Sequence, residues 1–492
     1  MIIRKIIFIA FSLICLDAYS QNENLNWTFG DSAGVYFQNL NNALPAISSL
    51  RSRGSCASVS DSSGNLVLYA NTRATVAGRT TFIWNANNLL IKNGTDIVGQ
   101  GWYHEIVIVP FPGNDSLFYV FSIGVTGPYL GLYYSIADIK NDTIIQKNIQ
   151  LLSIAQDDCI SAVKHGNGRD WWIVGRNIVQ AQWNNQYYKF LVTPGGVAGP
   201  YYQSIGDTNY SNTGRISFSP SGDTLLYTDG GDIIQYFRFD RCSGIMSNPV
   251  TIRPPATIYS EWTWSNEFSP NGRYIYTSTS KDTTQLFQYD LQSPNPLASR
   301  VTLYQSVFPE YAGGDVKRGP DGKIYFSIAY NNGVNFNYPY PDSVYNNYNM
   351  YLSVINAPDS AGASCNFQPY SFYLGGKRTY YGLPNNPDYH LGPKMGSGCD
   401  TLLAINEHSQ NIVISNLFPN PNNGEFSINY FLPNAQSGKL AIFNLQGQIL
   451  YEMKLPRYTY MQNINIKNLA AGIYALRIQS GDKSLVNKFV VQ

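Results

Sequence analysis

The sequence predicts an all-β protein: a ring of about seven small repeated sheets, followed by a compact sandwich of short strands. Three observations carry this. SPSGDTLLYT at Ser219 returns as SPNGRYIYTS at Ser269 and GPDGKIYFSI at Gly319, which places turn glycines at Gly222, Gly272 and Gly322. Fainter copies surround Gly64, Gly113 and Gly168, and the six glycines stand 49, 55, 54, 50 and 50 residues apart. A fixed period of this size marks a repeat architecture. No segment beyond the first twenty residues keeps a 3.6-residue apolar period, which excludes helical solenoids.

Each copy has a physical reason for its shape. Pro at the second turn position presets φ, Gly two residues on accepts a positive φ, and the Asp, Asn or Ser between them tolerates the turn. The run after the turn (TLLYT, YIYTS, KIYFS) is β-branched and aromatic and reads as a strand covered on both faces. A further strand follows in each copy, at Ile233–Asp240, Gln285–Leu291 and Asn349–Asn356. One repeat is therefore an antiparallel sheet of about four strands. Such a sheet alone cannot offset the conformational entropy of ordering it, so copies must cover one another. Radial stacking does this and leaves only short edges, the β-propeller solution. The expected fold is a seven-bladed β-propeller over residues 21–384 followed by a small Ig-like β-sandwich. The seventh blade is expected to be shared. Trp27-Thr28-Phe29 would pair with strands from Cys365 to Leu383, where Gly375-Gly376 supplies another turn.

Met1–Ser20 reads as a secretory signal peptide: Arg4 and Lys5, an apolar core from Ile6 to Leu16, then Ala18-Tyr19-Ser20 with small residues at −3 and −1. The core is far short of the ~20 residues of a membrane span, and no other stretch is long enough, so no transmembrane segment is expected in the mature chain. Losing the signal removes Arg4, Lys5 and Asp17 and leaves 31 basic and 31 acidic residues. A neutral, charge-poor surface argues against nucleic acid as a partner. Cys56, Cys159, Cys242, Cys365 and Cys399 then remain, without metal-ligand spacing. Cys56 and Cys159 read as core residues, and Cys365–Cys399 is a candidate disulfide in an exported protein.

Asn385–Gln410 carries Pro, Gly and polar residues without period and reads as a linker. From Asn411 short alternating strands recur with turn signals every 8 to 12 residues, as in a small sandwich. Four motifs lie within this stretch: Leu417-Phe418-Pro419-Asn420-Pro421-Asn422-Asn423-Gly424, Ala441–Gly447, Leu469-Ala470-Ala471-Gly472-Ile473-Tyr474 and Lys488–Val491. In order and spacing, residues 411–492 resemble the C-terminal sorting domain of the bacterial type IX secretion system. The resemblance implies a cargo read by that machinery, with Pro419, Asn420, Pro421, Gly424, Gly447, Gly472 and Tyr474 as sorting-motif residues. It also implies export to the extracellular space or the outer-membrane surface. The front part resembles the WD40-like propeller region found ahead of such domains. The matching residues are Trp27–Gly30, Cys56-Ala57-Ser58 with Asp61, Pro110–Asp115, Phe239–Gly244 and Tyr381–Pro384. That resemblance implies an architecture and no activity.

Catalytic signals are sparse. His104, His165, His390 and His408 are far apart and outside any ligand spacing, and His104 reads as a structural histidine. No nucleophile elbow or phosphate loop occurs, and the Gly206–Asn212 cluster reads as a polar loop rather than a calcium site. No cofactor, metal site or catalytic residue is expected. Two aromatic clusters remain, Gly101–Glu105 and Glu261–Trp264, each just ahead of an innermost strand. Trp102, Tyr103 and Trp262 there would line one mouth of the central channel and suit a glycan or protein ligand; Trp264 reads as packing between blades. The expected function is a secreted or surface binding protein. The alternative is a propeller hydrolase or lyase on polysaccharide or peptide, with Glu105, Glu261, Glu267 or Asp315 converging on the channel.

Overall fold

Each turn glycine of the repeat lies between the first two strands of a sheet, with φ between +71° and +88° for Gly64, Gly113, Gly168, Gly222, Gly272 and Gly322. The computed structural model describes residues 22–39, 42–72, 79–99, 104–125, 127–178, 184–209, 213–255, 261–280, 283–306, 310–330, 344–400, 413–432, 437–455, 461–466, 469–481 and 483–492. The signal peptide expected at Met1–Ser20 lies outside them.

Residues 26–373 form seven antiparallel sheets. The first blade is β1 (Asn26–Phe29), β2 (Asp31–Asn39) and β3 (Asn42–Arg51). The second is β4 (Cys56–Ser60), β5 (Leu66–Thr72) and β6 (Thr81–Asn85). The third is β7 (Ile106–Phe111), β8 (Asn114–Gly124), β9 (Gly131–Asp138) and β10 (Thr143–Leu152). The fourth is β11 (Gln156–Lys164), β12 (Trp171–Asn177), β13 (Asn184–Thr193) and β14 (Gly196–Asn209). The fifth is β15 (Gly214–Phe218), β16 (Thr224–Asp229), β17 (Ile234–Phe239) and β18 (Met246–Arg253). The sixth is β19 (Thr263–Phe268), β20 (Tyr274–Thr279), β21 (Thr284–Asp290) and β22 (Val301–Ser306). The seventh is β23 (Glu310–Arg318), β24 (Ile324–Tyr330), β25 (Tyr351–Ile355) and β26 (Phe367–Tyr373).

Apolar side chains pack between neighbouring blades all the way round. One cluster joins the second to fourth blades, and others join fourth to fifth, fifth to sixth and sixth to seventh. Another closes the circle by setting Trp27, Phe29 and Phe37 of the first blade against Tyr325, Leu352 and Val354 of the seventh. The Trp27 and Tyr325 rings meet edge-on at 5.6 Å. The chain is a seven-bladed β-propeller.

Three sequence expectations change here. β1 pairs with β2 rather than with the last blade, so Trp27-Thr28-Phe29 is the innermost strand of a complete first blade. The missing copy of the turn is Gly30 (φ +59°), whereas Gly375-Gly376 follows β26. A Cβ on Gly30 would stand 2.4 Å from the Arg378 carbonyl, where first and last blades meet. Only 34 residues separate Gly30 from Gly64, because the three strands of the first blade and the start of the second follow one another through short connections, and this hides the copy from a fifty-residue period. Cys399 pairs with Cys242, while Cys365, Cys56 and Cys159 are buried thiols. Composition cannot choose among five cysteines when the partners are 157 residues apart.

The C-terminal strands are β27 (Val413–Phe418), β28 (Glu425–Phe431), β29 (Gly438–Phe443), β30 (Ile449–Leu455), β31 (Met461–Asn465), β32 (Gly472–Ser480) and β33 (Lys483–Val491). They make two sheets, β27-β28-β31 and β30-β29-β32-β33. Phe426, Ile428 and Tyr430 face Leu440, Ile442, Leu476 and Phe489 across one apolar core, an Ig-like sandwich.

Candidate functional site

The centre of the ring is filled by the protein itself. After β26 the chain runs along the inner strands as a strap. Tyr381 N donates to Arg53 O (3.0 Å) and its carbonyl accepts from Asp315 N (2.7 Å). Gly382 then passes so close to the second blade that a Cβ would stand 1.7 Å from Gly54 O. Leu383 N donates to Asp315 Oδ2 (3.2 Å), and Asn385 N donates to Cys56 O (2.8 Å). The Asn385 side chain reaches three further blades. Its Nδ2 donates to Ile106 O (2.9 Å) and Ile160 O (2.8 Å), and its Oδ1 accepts from Arg215 Nη1 (2.9 Å). Asn386 accepts from Ser58 N (3.0 Å) and, through its carbonyl, from Lys317 Nζ (2.7 Å). Tyr389 Oη donates to Ile108 O (2.9 Å), and Lys394 N donates to Gly166 O (2.7 Å). The Cys242–Cys399 disulfide then ties the strap to the fifth blade.

Residues 385–387 were expected to begin a linker, yet they are buried. Asn and Pro read as solvent-exposed by composition. Here the asparagine amides instead satisfy buried carbonyls and a guanidinium at the centre of the ring. The signal available in the sequence was the neighbouring apolar Leu383 and Tyr389, both buried. Residues 401–410 of the expected linker lie outside the described residues.

Asp315 is the electrostatic centre of the buried contacts between the strap and the inner strands. Its Oδ1 lies 3.4 Å from His104 Nε2 and accepts from Ser265 Oγ. Burial pushes this carboxyl up, but the Arg215 guanidinium and His104 outweigh it and hold it well below the usual range. His104 Nδ1 faces the Gly214 carbonyl at 3.2 Å, so the side chain ties three blades together, the structural role expected of it. Two residues farther along β23, Lys317 lies 3.8 Å from Glu267, and burial lowers its amine to about 8. The cleft left there, beside Arg215, Asn386 and Asp388, is about 40 Å³, room for a few water molecules.

Of the aromatic ligand candidates, Trp102 and Tyr103 lie outside the described residues. Trp262 is half-buried, with φ +53°, at the edge of a cluster of Trp264, Ala329, Tyr380 and Tyr381. Trp264 stacks on Tyr381 of the strap at 4.7 Å, and Tyr380 stands perpendicular to Tyr381 at 4.6 Å. Trp264 is thus packing, as read from the sequence, but its partner is the strap.

The carboxylates offered for hydrolysis are not gathered around an open space. Glu261 is bound by Arg253 and by Arg300 (3.1 Å). Glu267 accepts from Phe268 N (2.9 Å) and Arg318 N (3.2 Å). Glu105 is fully buried near Asp158, whose carboxyl is pushed well up by burial first and by Glu105 second. Among the described residues no group of three or more His, Cys, Asp or Glu side chains is placed to hold a metal ion. Gly206–Asn209 belongs to β14, with Asp207 accepting from Thr251 Oγ1 (2.7 Å), rather than to a polar loop; residues 210–212 lie outside the described residues.

In the sandwich the motif residues set turns and anchor the last strand. Pro419, Asn420 and Pro421 form an exposed ridge, and Asn420 Oδ1 accepts from Val490 N (2.9 Å). Gly424 (φ +94°) and Gly447 (φ +81°) occupy left-handed turn positions. Gly472 opens β32, and buried Tyr474 donates to Ala470 O (2.6 Å).

Residues 416–492 match the family described as the secretion system C-terminal sorting domain. Type IX export therefore delivers this protein to the cell surface or the extracellular space. Among the described residues no helix is long and apolar enough to cross a membrane. No curated protein sequence matches the chain. Among solved structures, it is similar to a putative 6-phosphogluconolactonase from Bacteroides uniformis, with TM-score 0.37 and 13% identity over 80% of this chain and 98% of that one. A quinonprotein alcohol dehydrogenase-like protein from Bacteroides thetaiotaomicron gives 0.37 and 10% over 73% and 75%. The β-propeller domain of Myceliophteria thermophila Cps50 (Swd1) gives 0.36 and 12% over 62% and 94%.

Proposed function

We propose that this protein is a binding scaffold: a WD40-like propeller, made with a cleaved signal peptide at Met1–Ser20, that presents loops to a glycan or protein ligand outside the cell. The filled channel carries this reading. A glycosidase of the usual kind needs two carboxyl groups facing an open substrate site, roughly 5–9 Å apart. Glu261, Glu267 and Asp315 are instead engaged by arginine, backbone amides, lysine and histidine. The ligand surface is the mouth that holds Trp262, and Trp102 and Tyr103 are assigned to it from the sequence. An indole there offers a flat apolar face with one polar edge, which suits sugar rings and peptide backbones. The sorting domain binds the type IX machinery and serves export alone.

Glycan and peptide arrays probed with the exported chain test this. Retention of a defined ligand class, lowered at least tenfold by Trp262→Ala, is the expected result. Turnover of a polysaccharide or peptide without stable retention would replace the scaffold with an enzyme.

A further inference from the structure

We propose that residues 379–399 are the clasp of the propeller ring, doing the work that a strand shared between first and last blades would do, with Cys242–Cys399 as the catch. The ends of the ring meet without a shared strand: the first and seventh blades touch through side-chain packing, through Asp31 N donating to Arg378 O at 2.9 Å, and through the Asp31 carboxylate, which accepts from Arg378 Nε (3.2 Å) and Tyr345 Oη (3.0 Å). Packing of this kind resists opening only as strongly as one interface between blades, and a ring opens at its weakest interface. The strap removes that weakness by bonding to many blades at once. Asn385 alone joins four separate sheets through Cys56, Ile106, Ile160 and Arg215. Leu383 and Asn386 add the seventh blade through Asp315 and Lys317. The Asn24 side chain, ahead of the first blade, donates to Pro387 O at 3.2 Å. Separating any two of these five blades therefore breaks strap contacts in the buried centre, where unpaired carbonyls and a guanidinium are costly.

The disulfide closes a loop of 157 residues, so it also restricts the unfolded chain and keeps the strap's end within reach of the channel. The clasp ends at Cys399 and the sorting-domain match begins at residue 416. A processing cut between them would leave the ring closed on a released propeller.

Hydrogen exchange on the full-length exported chain tests the clasp. In Asn385→Ala, backbone amides of β4, β7, β11 and β15 are expected to exchange at least tenfold faster together, although they belong to four sheets. Loss confined to the strap itself would overturn the proposal. Should Asn385→Ala fail to fold, the same readout on Cys242→Ser/Cys399→Ser decides. There the amides of Ser58, Asn385 and Lys394 are expected to exchange at least tenfold faster. Exchange unchanged beyond the neighbours of residues 242 and 399 would overturn it.

Discussion

Asp157 and Asp229 share one phenol: Tyr227 Oη lies 2.6 Å from Asp157 Oδ2 and 3.0 Å from Asp229 Oδ2, between the fourth and fifth blades. A hydroxyl has a single proton to donate, so it serves one carboxylate at a time. Both acids are buried, and the nearby Arg176 guanidinium, which also sits over the Tyr227 ring, offsets only part of the cost. Burial pushes Asp157 up to about 6 and Asp229 up to about 7.

Stability should therefore depend on pH in an uncommon direction for carboxylates. In the unfolded chain these groups ionise near 3.8, so between there and about 7 the folded protein holds more protons. Their contribution is complete below about 3.8 and is lost as pH rises through 6 to 7. Asp229→Asn should flatten the dependence by on the order of 2 kcal/mol over that window. Urea midpoints of both proteins at pH 4.5 and 7.5 check this, and equal slopes would refute the shared-proton account.

Gly382→Ala should be among the most damaging single methyl additions in the chain. The new Cβ would stand 1.7 Å from Gly54 O and 2.5 Å from the Gly54 carbonyl carbon, both backbone atoms. The strap must move away, taking Tyr381 off Trp264. A loss of about 3 kcal/mol or more in chemical denaturation is expected; a loss below about 1 would show that the strap has slack.

Asn266→Ala tests the seam between the fifth and sixth blades. Its Nδ2 donates to Arg215 O (3.0 Å) and Thr228 Oγ1 (2.8 Å), and its Oδ1 accepts from Ser217 Oγ. Truncation leaves a buried carbonyl and two hydroxyls without this partner, and should cost about 2–3 kcal/mol. Thermal unfolding of the variant measures it, and a neutral result would mean the neighbours re-pair.

Gly424→Val should block export while leaving the propeller intact. The position has φ +94°, and a Cβ would stand 2.6 Å from Ile466 O. A β-branched side chain is excluded there on both counts. The expected outcome is cell-associated protein with a native propeller disulfide and none on the surface or in the medium. Normal export would show that this turn is not read by the machinery.

The recurrence of Gly222, Gly272 and Gly322, with apolar runs behind them, was enough to predict the ring; the count of seven held although its seventh turn was assigned to Gly375-Gly376 and is in fact Gly30. Turn geometry and strand burial are local requirements, written wherever they apply. The sandwich was legible for the same reason, since Gly424, Gly447 and Gly472 mark its reversals. Trp102 and Tyr103 were picked out as ligand contacts by residue type and place in the repeat, and they remain proposals on that basis. What only the tertiary structure decided is how the ring is closed and what fills it. Asn385 and Asn386 look like linker residues because their value lies in a backbone amide, carbonyls and a guanidinium supplied by blades up to 328 residues away. The Cys242–Cys399 pairing is equally invisible along the chain. A local pattern records what a residue needs of its neighbours in sequence. The partners of a buried amide are chosen by the fold, which brings distant blades to one place.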